Sequence, residues 1–230
     1  IKVASNVASQ TLTLADNANV VLASDIDTAF TIAGKNADYT VNLSTGDDTN
    51  ASGATIDITT GTLTANSNLK TVNIDATVGK LTTTATTLAT TATLNVTGTK
   101  DVALGNLTAK VLDASASTGK ITLDTASTAL TKITTGAGND DVTVDENVKY
   151  TVDLGEGTNK LTIKSAVATA DGSFTTGSGD DTIDLQSTAA NVIVTGAGND
   201  KVTIAGDSDS IIIMGDGTSD EIIFATAQDF

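Results

Sequence analysis

The segment Thr135-Gly136-Ala137-Gly138-Asn139-Asp140-Asp141-Val142-Thr143-Val144 returns as LGEGTNKLTI from Leu154, TGSGDDTIDL from Thr176 and TGAGNDKVTI from Thr195. A looser copy, MGDGTSDEIIF, begins at Met214. The first glycines are Gly136, Gly155, Gly177, Gly196 and Gly215, which stand 19, 22, 19 and 19 residues apart. Each glycine turn runs into a triplet with apolar outer members: Val142-Thr143-Val144, Leu161-Thr162-Ile163, Ile183-Asp184-Leu185, Val202-Thr203-Ile204 and Ile222-Ile223-Phe224. A second set of triplets lies between them, at Tyr150-Thr151-Val152, Val192-Ile193-Val194 and Ile211-Ile212-Ile213. Strands this short cannot form a free-standing sheet. They can form one when each pairs with its equivalent one coil above and below. Thr and branched aliphatics dominate the triplets, as strand propensity requires. The expected fold is therefore all-β, a parallel β-solenoid of 19–22 residues per coil. Ile193, Ile212 and Ile223, as middle members, are expected to point outward, as scattered surface aliphatics or as a contact with another domain or subunit.

Outward from this segment the beat continues without the glycine turns. Candidate strands are Leu12–Leu14, Val20–Leu22, Phe30–Ile32, Tyr39–Leu43, Ile56–Ile58, Val72–Ile74, Leu94–Val96, Val102–Leu104, Val111–Leu112, Ile121–Leu123 and Leu130–Ile133. Between Lys80 and Thr97 the chain is almost pure Thr, Ala and Leu. Helix is disfavoured there, because β-branched Thr is a weak helix former and caps are absent. Two regions follow: residues 1–133, a Thr/Ala-rich solenoid without clear cation turns, and residues 134–230, a solenoid with them. The two are expected to be continuous, and a separate β-sandwich over residues 1 to about 60 is the alternative.

Composition removes many chemistries. The 230 residues contain no Cys, His, Pro, Trp or Arg. Thiolate nucleophiles, disulfides, imidazole bases, the Ser-His-Asp triad and His- or Cys-ligated metals are all excluded. With 28 acids against 12 Lys, the net charge is −16. That disfavours nucleic acid and anionic lipid while attracting divalent cations. No apolar run approaches the length needed to cross a bilayer, so membrane insertion is not expected. The chain begins at Ile1 and is read as a piece of something longer. An enzyme is not expected, since carboxylate-pair catalysis on polysaccharide usually wants Arg, aromatics and a groove. The acidic pair Asp47-Asp48 reads as an ordinary polar loop. Thr pairs such as Thr82/Thr84 and Thr97/Thr99 do not recur in register along the sequence, which argues against an ice-binding face.

The glycine turns have the features a hard cation needs. Closely spaced glycines permit backbone conformations that turn successive carbonyls toward one point. An Asp two residues after the second glycine adds a carboxylate, and calcium takes six to eight such oxygens. A step of one coil would stack the turns on one edge about 4.8 Å apart. These turns resemble the calcium-binding nonapeptide repeats (GGxGxDxUx) of RTX proteins. The copies at Gly136, Gly177 and Gly196 keep GxGxDxU, with Gly138, Gly179 and Gly198 as second glycines and Asp140, Asp181 and Asp200 as carboxylates. Thr stands where the family has its first glycine. The copy at Gly155 has Asn159 in place of Asp, which weakens that site. The copy at Gly215 carries one extra residue, so Asp216 or Asp220 is its candidate ligand. A fainter segment around Asp209 offers a ligand on the opposite edge.

The Thr/Ala-rich remainder is similar to bacterial surface-layer proteins of the RTX class. The resemblance implies Ca2+-dependent folding, type I secretion, an extracellular location at the bacterial cell surface, and self-assembly into a two-dimensional lattice of identical subunits. It also implies anchoring to surface polysaccharide or lipopolysaccharide through regions outside this segment. Two alternatives share the repeats: an RTX adhesin, and a secreted RTX enzyme whose active domain lies elsewhere.

Overall fold

The computed structural model describes residues 1–3, 11–23, 30–46, 56–127, 129–145, 149–164, 171–204 and 209–225. Every named strand pair is parallel, and no helix occurs among the described residues. The chain is an all-β parallel β-solenoid with two long sheets, one of eleven strands and one of thirteen. In the glycine-turn half, one strand per coil precedes the turn and one follows it. The eleven-stranded sheet collects the former, Lys132–Thr134 among them, and is called the leading sheet. The thirteen-stranded, trailing sheet collects the latter, Asp141–Asp145 among them.

Both sheets run unbroken past residue 133. Lys132–Thr134 pairs with strands on either side, at Val111–Asp113 and Thr151–Asp153. The early strands join the same sheets: Thr11–Leu14 lies parallel to Phe30–Gly34, which lies parallel to the Leu63 region. The described strands of the first sixty residues thus lie in the same two sheets as the later ones. The Thr-rich stretch resolves into strands Gly79–Thr87 and Thr93–Gly98.

The core is a set of stacked columns, one side chain per coil. In the trailing sheet Leu123, Val142, Leu161, Ile183, Val202 and Ile222 are successive partners. In the leading sheet the column is Leu94, Leu112, Ile133, Val152, Phe174, Ile193 and Ile212. Aliphatics tile such columns without leaving polar atoms to satisfy, and each fully buried one contributes roughly 1.5–3 kcal/mol. The core is thus long and thin.

One sequence expectation is corrected by this register. Ile193 does not point outward: it is fully buried, because leading-sheet strands turn their middle residue inward whereas trailing-sheet strands turn it outward. Ile212 stacks on Ile193 and is half-buried, while Ile223 pairs with the outward Thr203 as expected. Among the described residues of the last coils, the exposed large apolar side chains are instead Val192, Ile211 and Ile213 on the leading face, and Ile222 and Phe224 at the end of the core columns. The pairs Thr82/Thr84 and Thr97/Thr99 do not recur in register, but a column of single threonines does. Thr11, Thr31, Thr64, Thr87 and Thr108 stand in one column of the trailing sheet, in register through five coils. Unequal coil lengths hide that register from sequence spacing. On the leading face Asn19, Asn42, Asn73 and Asn95 form an amide ladder, with Nδ2-to-Oδ1 distances of 3.0, 2.7 and 2.8 Å.

Candidate metal centre

The glycine turns stack along one edge, between the leading and trailing sheets. Their backbones approach so closely that only glycine fits. At Gly177, φ is 92° and a Cβ would fall inside the van der Waals radius of Gly155 O. The first-glycine carbonyls join the coils: Gly136 O accepts from Glu156 N–H (2.9 Å), Gly177 O from Ala197 N–H (3.0 Å) and Gly196 O from Asp216 N–H (2.8 Å). Of the second glycines, Gly179 N–H donates to Ala197 O (2.7 Å) and Gly198 N–H to Asp216 O (3.1 Å). The carbonyls of Gly138, Gly179 and Gly198 accept no hydrogen bond among the described residues.

Beneath this edge runs a continuous polar column. Ile121 N–H donates to Asp140 Oδ1 (2.7 Å), and Asp140 N–H to Asn159 Oδ1 (3.0 Å). Asn159 N–H then donates to Asp181 Oδ1 (2.7 Å), Asp181 N–H to Asp200 Oδ1 (2.9 Å), and Asp200 N–H to Asp220 Oδ1 (3.0 Å). Each side chain caps the backbone N–H of the coil before it, a donor that would otherwise be orphaned at the strand start. The four members Asp140, Asn159, Asp181 and Asp200 are each only 1 % exposed.

The Oδ2 atoms of Asp140, Asp181 and Asp200 are buried and have no hydrogen-bond partner. The Thr135 and Thr176 hydroxyls lie beside Asp140 and Asp181 and pull their pKa down, while their own hydrogen bonds run to backbone carbonyls of the next coil. Thr135 Oγ1 donates to Leu154 O (2.8 Å), Thr176 Oγ1 to Thr195 O (3.0 Å) and Thr195 Oγ1 to Met214 O (2.9 Å). Burial pushes Asp140 and Asp181 up to about 6, against the opposing pull of the Thr135 and Thr176 hydroxyls and of the N–H groups of Ile121 and Asn159. A buried carboxylate with one oxygen unanswered calls for a proton or a cation.

The coil of Asn159 differs. Leu154 replaces the threonine, so no hydroxyl reaches the next coil. Asn159 Nδ2 takes over, donating to Thr176 O and to Gly157 O, both at 3.0 Å. In this coil a donor stands where the aspartate coils place an unpartnered oxygen.

The predicted Asp and Asn ligands thus separate into two groups. Asp140, Asn159, Asp181, Asp200 and Asp220 belong to one column, with Asp220 exposed at its end. Asp216 pairs through its backbone with Ala197 and is exposed, outside the column. No group of three or more acidic side chains converges among the described residues. Each aspartate coil instead offers a single buried carboxylate oxygen without a partner.

Sequence reasoning missed the Thr135, Thr176 and Thr195 hydroxyls, although the recurrent Thr before Gly136, Gly177 and Gly196 was visible. It also missed a second polar column on the opposite edge. There Asn191 is buried, its Oδ1 accepts from Gly172 N–H (2.7 Å), and its N–H donates to Ser210 Oγ (3.0 Å). Ser210, rather than the exposed Asp209, makes that contact. Asp47 and Asp48 lie outside the described residues. No family model matches the chain, and no curated protein or solved structure proved similar to it.

Proposed function

We propose that this chain is a structural rod of a bacterial surface layer, an RTX-type solenoid secreted to the cell surface, where Ca2+ along the glycine-turn edge stabilises it for self-assembly. A β-solenoid is compatible with a repeat structural or adhesin-like protein. The observation that carries the calcium part is the set of three buried, unpartnered carboxylate oxygens on one edge of the rod, at Asp140, Asp181 and Asp200. Calcium would supply there the positive charge that the column lacks. It would also offset part of the mutual repulsion within a chain of net charge −16. The lattice part rests on the composition and the rod shape: no thiol or imidazole side chain, and a form that repeats along one axis.

Two measurements test it. Circular dichroism melts of this chain in chelator and in millimolar calcium should show a higher melting temperature with the ion. At ten times its dissociation constant, each site adds about 1.4 kcal/mol. Electron microscopy of the full-length protein should then show ordered two-dimensional arrays in calcium. Identical melts with and without calcium would remove the ion from the proposal, and an absence of arrays would remove the lattice.

A further inference from the structure

We propose that Asn159 takes the place of the cation in its own coil, so that the ladder is interrupted there by a position the chain staples with its own side chain. This builds on the calcium proposal but rests on a comparison internal to the structure. Asp140, Asp181 and Asp200 each use Oδ1 to cap a backbone N–H, and Asn159 Oδ1 does the same. The shared contact anchors all four side chains at the same atom, and the other terminal atom is where they differ. In the aspartates that atom is an acceptor without a donor. In Asn159 it is an NH2 group that reaches two carbonyls, Gly157 O and Thr176 O, both at 3.0 Å.

The accompanying residue has changed in concert. The aspartate coils have Thr135, Thr176 and Thr195, whose hydroxyls satisfy the next coil's carbonyl, and this coil has Leu154. An amide with two N–H donors can serve both carbonyls, and a carboxylate can serve neither. The pairs Thr with Asp and Leu with Asn are therefore alternative solutions to the same set of acceptors. One leaves a position for a positive charge and the other fills it. Asp140 stands on one side of the stapled coil, with Asp181 and Asp200 on the other, so cation binding falls into two separate blocks.

The test uses the chain with Asn159→Asp, Asp181→Asn and Asp181→Ala, melted in chelator and in calcium alone at pH 7.5. Asn159→Asp should lower the melting temperature in chelator by about 2–4 °C or more and enlarge the gain from calcium. Asp181→Asn should raise the chelator value and reduce the calcium gain, while Asp181→Ala should lower it, because the Asn159 N–H loses its acceptor. If Asn159→Asp melts like the parent in chelator, or if Asp181→Asn falls with Asp181→Ala, the proposal is overturned. The chelator comparison stands apart from the calcium proposal: should calcium leave the parent unchanged, the order of the variants in chelator still decides the role of Asn159.

Discussion

Ile121 and Asp140 occupy the same inward column one coil apart, and the backbone N–H of Ile121 donates to Asp140 Oδ1 at 2.7 Å. Below this junction the column is aliphatic, with Leu81, Val102 and Ile121 as successive partners. Above it the column is Asp140, Asn159, Asp181 and Asp200. One solenoid thus changes its edge chemistry between neighbouring coils without breaking either sheet. The first half relies on apolar contact at this edge, and the second on hydrogen-bonded carboxylates with an unmet demand for positive charge.

Removing a carboxylate from the column should cost far more than removing one from the surface. Asp200→Ala leaves the Asp181 N–H without its acceptor in a buried position, a loss of about 1–3 kcal/mol. Asp75→Ala removes only an exposed local contact with Thr77 and should cost about 0.5 kcal/mol. Urea denaturation in calcium-free buffer separates the two, and equal losses would count against the column.

Acid should stabilise the metal-free chain. Asp140 and Asp181 are raised to about 6 in the folded state from 3.8, so the folded chain holds their protons more tightly than the unfolded chain. Their contribution is fully present below about 3.8 and is lost as pH rises through about 6. In chelator the melting temperature should fall between pH 5 and pH 7, against whatever trend the other groups set. Double replacement by Asn should flatten that fall. A fall of the same size in the double variant would assign it to other groups.

Gly177→Ala should be severe, at about 2 kcal/mol or more, because the residue combines positive φ with backbone contact to Gly155. Ala137→Gly in the turn two coils away adds no such clash and should cost less than about 1 kcal/mol. Comparative melting of the two variants checks the stacked-turn geometry.

The apolar triplets of the leading sheet should divide by position. Ile193→Ser buries a hydroxyl in the core column and should destabilise by about 3 kcal/mol or more. Ile211→Ser and Ile213→Ser change exposed side chains and should leave the melting temperature within a degree or two of the parent. If assembly uses this face, the exposed pair alone should impair array formation while the fold is retained. Arrays unaffected by the Ile211/Ile213 double variant would clear this patch of a role.

Much of the solenoid was legible in the chain because glycine turns recur at coil spacing and strand triplets follow them in phase. Those features are local. A glycine that must adopt positive φ and a branched aliphatic that must face a core both leave their mark on residue type. The acidic column was legible too, since Asp140, Asp181 and Asp200 hold one place in the repeat. The facing of the leading-sheet triplets was not, because Val-Ile-Val and Ile-Ile-Ile are apolar at every position and carry no alternation to read. Nor was the threonine column from Thr11 to Thr108, whose coils differ in length and whose register exists only through pairing. The same holds for Asn159. Sequence alone marks it as a weakened copy of Asp, whereas the folded chain sets its amide between two carbonyls and pairs it with the absence of a hydroxyl at Leu154. Residue type along the chain determined which elements form and how often they repeat. Which atoms meet between coils was decided by tertiary structure, because a hydrogen-bond donor acquires its meaning only from the acceptors that stacking brings to it.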